Sequence, residues 1–78
     1  MFYEVKKTSC HFGDTPQTVS VFFQDQKKAM EYRDSLIENA KQVCTDPNIS
    51  EDGETICIVS WQSSYEAFIE FIPRAFAD

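Results

Sequence analysis

The residue types best suited to chemistry lie near the N-terminus, where a thiol precedes an imidazole. Cys10 and His11 would form a nucleophile and a base if their side chains met. They belong to a segment with the β-forming residues of a strand, and neighbours on a strand point to opposite faces. Ser9 and His11 share a face, but no nearby residue would orient the imidazole as a third group must. The pattern predicts a solvated edge histidine and no catalytic residues.

Metal-ligating residue types are present but widely spaced. A zinc site could draw on three thiols and one imidazole, which are Cys10, His11, Cys44 and Cys57. The set contains no C-x-x-C or H-x-x-x-H pair, the spacing that usually preorganises such a site. The loop that begins at Asp46 resembles the start of a calcium loop, but Glu51 replaces the required Gly and Cys57 the required Glu. We therefore predict no metal and no cofactor.

The sequence also argues against phosphate binding, nucleic-acid binding and glycoside hydrolysis. Gly13 and Gly53 are the only glycines, and neither begins a Gly-rich phosphate loop. The two lysine doublets have acids beside them, and the net charge of −6 opposes nucleic-acid binding. On a strand, Glu66 and Glu70 would lie about 13 Å apart, beyond the spacing of glycosidase carboxylates.

Length and composition are those of a single small globular domain spanning residues 1–78. The chain is 42% apolar and 26% charged, too apolar for a disordered segment. Its most apolar stretch, residues 67–72, is interrupted by Glu70, so we expect neither a membrane span nor a signal peptide. Three widely spaced cysteines suit free thiols in a reducing compartment, and we expect a cytoplasmic location.

Charge is unevenly distributed along the chain. Residues 1–44 contain six acids and six bases, whereas residues 45–78 contain seven acids and only Arg74 as a base. The acidic C-terminal half therefore predicts a partner protein with a basic surface.

The hydrophobic pattern predicts an antiparallel sheet with one main helix. Residues 2–12 and 18–23 are rich in β-formers and flank a Gly/Pro turn, which indicates a hairpin. Asp25 is the expected N-cap of a helix whose apolar residues recur every three or four positions and which must end before Pro47. Residues 55–61 are apolar on both faces, as a central strand would be.

The segment 63–76 fits two structures. As a helix it has a capping box at Ser63 and Glu66 and an apolar stripe. As a strand it alternates, and most of its residues are β-formers. We favour the strand, which gives an α+β fold of about four strands in the order ββαββ, with residues 45–54 as a polar loop. The alternative, with a C-terminal helix, is ββαβα.

The aromatic residues are too numerous for one helix over one sheet face to cover, so some should be exposed. Exposed aromatic anchors with a charged rim are the usual anatomy of a protein-binding site. We therefore predict a protein-binding module, with no catalytic activity, that acts through Trp61, Tyr65, Glu66, Phe68 and Glu70. In composition alone, the chain resembles the accessory inhibitors that phages and mobile elements use against host systems. The alternatives are a self-associating homodimeric module and a small metal-binding or enzymatic protein.

Overall fold

The computed structural model describes residues 1–74. They form one five-stranded antiparallel sheet with an α-helix on one of its faces, in the strand order β2-β1-β5-β4-β3. The elements are β1 (Phe2–His11), β2 (Gln17–Phe23), α1 (Gln26–Val43), β3 (Asn48–Asp52), β4 (Thr55–Ser60) and β5 (Tyr65–Arg74). The predicted α+β fold with a single antiparallel sheet is confirmed, but the element order is ββαβββ.

Helix α1 begins at the predicted cap. The carboxylate of Asp25 accepts a hydrogen bond from the backbone N–H of Lys27 at 2.9 Å, which satisfies a donor of the first turn. At the other end, the N–H of Cys44 donates to the carbonyl of Ala40 at 3.0 Å. Among residues 1–74, no helix combines the length and apolar character that crossing a bilayer requires.

The sheet has a covered face, on which α1 packs, and an open face. Strand register places Val5, Ile58 and Ile69 on the covered face, where they are almost fully buried. The core consists of these residues and their buried neighbours: Val5, Ala29, Ala40, Ile56, Ile58, Ala67, Ile69 and Phe71. The intervening residues of each strand point to the open face, because side chains alternate along a strand.

The ambiguous C-terminal segment forms a strand, β5, rather than a helix. It pairs with β1 on one side and with β4 on the other, so it lies inside the sheet. The favoured strand is confirmed, and the alternative helix is wrong. Among the described residues the strand spans Tyr65–Arg74, so it begins two residues after the start of the predicted segment. Phe76, the last residue of that ambiguous segment, lies outside the described residues.

The predicted polar loop over residues 45–54 contains the fifth strand. Strand β3 pairs with β4, and a two-residue turn joins Asp52 to Thr55. Gly53 has φ +63° at the first turn position, where a type II′ hairpin turn needs glycine. All five residues of β3 are exposed, so it has no apolar alternation to reveal it. The expectation of about four strands was therefore one too few.

Candidate functional site

Two exposed aromatic rings meet at the end of the sheet where β1 ends and β4 turns into β5. The rings of Phe12 and Trp61 pack edge to face, with centroids 5.3 Å apart and planes at 68°. The N–H of Phe12 donates to the carbonyl of Ser64 at 2.7 Å, which joins the two loops. Trp61 is nevertheless 73% exposed. The indole is thus held from one side while most of its surface faces solvent.

The open face continues from these rings with an acidic and two apolar side chains. Cys10, Glu66 and Val59 lie side by side across β1, β5 and β4. Phe68 follows Glu66 on the same face of β5 and is 38% exposed. We call this set the aromatic–acidic surface: Phe12, Val59, Trp61, Glu66 and Phe68.

Strand alternation divides the predicted binding residues between the two faces. Tyr65 lies on the covered face, where it packs against the core, and its ring centroid is 5.5 Å from that of His11. Glu70 lies on the open face beyond Phe68, opposite Lys6 of β1. The other predicted residues belong to the aromatic–acidic surface: Trp61, Glu66 and Phe68.

Two members of this surface were missed by the sequence reasoning. Phe12 reaches Trp61 only because β1 pairs with β5, and Val59 lies beside Glu66 only because β4 pairs with β5. Alternation along residues 55–61 predicts that Val59 shares a face with Cys57 and Trp61, but it does not show that Glu66 lies beside Val59. No local signal in the sequence gives the register that brings Phe12 to Trp61.

The thiol of Cys10 lies against the acid of this surface. Its Sγ is 3.6 Å from Oε1 of Glu66. Partial burial, and then the neighbouring Glu66 carboxylate, raise the pKa of Cys10. A raised pKa keeps the thiol protonated and weakly nucleophilic. His11 is the neighbour of Cys10 on β1 and, by strand alternation, points to the other face, where its ring contacts that of Tyr65.

An ion pair between a buried carboxylate and a half-exposed arginine lies at the opposite end of the open face. Glu4 accepts hydrogen bonds from Nε of Arg74 at 2.6 Å and from Oγ of Ser20 at 2.8 Å. The hydrogen bond from Arg74 has the largest effect on the pKa of Glu4, and the bond from Ser20 the next largest. Together they lower this pKa, although burial alone would raise it. The contact joins β1, β2 and β5 on a face that lacks a covering helix.

The metal-ligating residue types do not form a cluster. Within the part of the chain that the structure describes, no three His, Cys, Asp or Glu side chains converge as a metal site needs. Cys10, Cys44 and Cys57 are free thiols. Comparisons of the chain with protein-family models, curated proteins and solved structures returned no match.

Proposed function

We propose that this protein binds another protein through the aromatic–acidic surface and carries out no catalysis. The observation that supports this most is Trp61, which is 73% exposed yet held in place by the ring of Phe12. An aromatic side chain that is already ordered loses less conformational entropy when a partner covers it. Tryptophan is also among the residues most enriched in the binding hot spots of interfaces.

The charge of the surface indicates the chemistry of the partner. Glu66 lies between the exposed aromatic pair and Phe68, in a half of the chain with seven acids and one base. A basic patch on the partner would complement it and speed association. More specifically, we propose that the protein is an inhibitor that a phage or mobile element directs at a host system. It would act in the cytoplasm, where free thiols stay reduced.

Paired aromatic deletions test this proposal. The wild type is used to capture a partner from cell extract, and binding is then measured with both proteins purified. Trp61→Ala should weaken binding by at least about 30-fold, the loss typical of a hot-spot residue. Phe22→Ala, at the opposite end of the open face, is the matched control because Phe22 is also an exposed aromatic residue. Equal losses from the two variants, or none from Trp61→Ala, would contradict the proposal.

A second candidate function, self-association, is favoured by the edge strand β2. Residues 15–24 contain no charged side chain, and Val19 is exposed on this edge. Edge strands normally carry charges that prevent pairing with a second chain. If β2 pairs with itself, Val19→Lys should abolish the dimer, whereas Ser50→Lys on the other edge strand should leave it intact. A dimer that survives Val19→Lys would rule out this edge.

A further inference from the structure

A cleft of about 430 Å³ lies between α1 and the edge strand β3, on the covered side of the sheet. Its apolar floor consists of Ile37, Ile49 and Ile56, and Ile49 is 37% exposed. Three charged residues of α1, spaced at i, i+4 and i+7 on one face of the helix, also line the cleft: Asp34, Glu38 and Lys41. Glu51 of β3 closes the other side. The cleft therefore combines an aliphatic floor with a rim of three acids and one lysine.

The backbone of β3 presents unpaired hydrogen-bonding groups beside this cleft. The pair that flanks a two-residue hairpin turn, Asp52 and Thr55, exchanges both of its backbone bonds, and bonded pairs alternate from there. The N–H and C=O groups of Ile49 and Glu51 therefore point away from β4. Among residues 1–74, no strand pairs with this outer edge. The same two residues direct their side chains into the cleft.

The charges of the rim select the occupant. Lys41 pairs with Glu38 at 3.2 Å, and Arg33 pairs with Asp34 at 3.3 Å. Glu51 has no ion-pair partner among the described residues. A second copy of this chain would bring its own Glu51 and Asp52 to the junction, so repulsion opposes self-pairing.

We propose that this edge binds an extended basic segment of another protein, which adds a sixth strand next to β3. A lysine or arginine lies opposite Glu51, and an aliphatic residue two positions away lies opposite Ile49 and covers the isoleucine floor. The added strand bonds to the free N–H and C=O groups of these two residues, the mode known as β-augmentation. This site is separate from the aromatic–acidic surface and does not depend on the proposed function.

A synthetic peptide tests the proposal directly. The probe is a capped heptapeptide in which threonines alternate with lysine, isoleucine and lysine, long enough to span the five residues of β3. A control peptide has glutamate at both lysine positions. By NMR titration of the full chain, the lysine peptide should bind with a dissociation constant below about 1 mM. It should also slow hydrogen exchange at the amides of Ile49 and Glu51, and the glutamate peptide should do neither.

Two neighbouring acids provide matched variants. Glu51→Lys should weaken peptide binding about tenfold, because an attraction becomes a repulsion inside the cleft. Asp52→Lys makes the same change in net charge on the open face and should weaken binding by less than about twofold. Circular dichroism checks that both variants fold. Equal losses from the two variants would mean that only long-range charge attracts the peptide. That result, or the absence of binding or of protection at Ile49 and Glu51, would overturn the proposal.

Discussion

Glu4→Gln is expected to lower the free energy of unfolding at neutral pH by about 1–2 kcal/mol. Glu4 is only 7% exposed and accepts two hydrogen bonds, from Arg74 and from Ser20. A hydrogen bond to a charged group contributes about 1.5–3 kcal/mol. The expected loss is smaller because the side chain of Arg74 is 50% exposed, so solvent screens the pair.

The pH dependence of this loss has a definite sign. The hydrogen bonds from Arg74 and Ser20 lower the pKa of Glu4 in the folded state below the ordinary value of 4.5. Ionised Glu4 therefore stabilises the fold fully above pH 4.5, and the contribution disappears as the pH falls through the lowered pKa. Urea unfolding of the wild type and Glu4→Gln over this range should show a difference that narrows below pH 4.5.

An exposed ion pair supplies the control. Glu38 contacts Lys41 at 3.2 Å, and both side chains are largely exposed. Glu38→Gln should therefore change the free energy of unfolding by no more than about 0.5 kcal/mol at any pH. If the two variants lose equal stability, or if the effect of Glu4→Gln persists unchanged in acid, ionised Glu4 does not stabilise the fold in this way.

Two further predictions concern the core and the thiol of the open face. Ile58 is fully buried, so Ile58→Ala should lower the free energy of unfolding, measured by urea unfolding, by about 2–5 kcal/mol. A loss below about 1 kcal/mol would contradict this packing. Burial and the Glu66 carboxylate raise the pKa of Cys10, so Glu66→Gln should speed the alkylation of Cys10 by iodoacetamide at pH 8, measured by mass spectrometry. An unchanged rate would show that Glu66 does not act on the thiol.

The elements that the sequence predicted correctly are those with a strong local pattern. Helix α1 has a cap at Asp25 and a regular apolar stripe, and the β1–β2 hairpin has alternating residues around a Gly/Pro turn. Strand β3 was missed because Ile49 is its only apolar residue, so its sequence shows no apolar alternation. Its pairing with β4 and the turn at Gly53 make it a strand. Strand β5 has a pattern that suits a helix as well, and only its pairing on both sides decides between them.

For the candidate site, the sequence could predict which residues of one strand share a face, but not which residues of different strands meet. Residues 66, 68 and 70 share a face of β5, and Tyr65 necessarily lies on the other, so its separation from them could have been predicted. The contact between Phe12 and Trp61 and the ion pair between Glu4 and Arg74 join distant parts of the chain. Neither has a local signal, because each depends on how β1 pairs with β5.

Sedimentation equilibrium over a wide concentration range, on the wild type and on Phe68→Asp, tests most directly whether the aromatic–acidic surface is free to bind a partner. Both proteins should be folded monomers with the 9.0 kDa mass of one chain, since Phe68 lies partly exposed on the open face. A wild-type dimer that Phe68→Asp converts into a folded monomer would show that this surface binds a second copy. An unfolded Phe68→Asp would show that Phe68 belongs to the core. Either result would mean that this surface is not free to bind another protein.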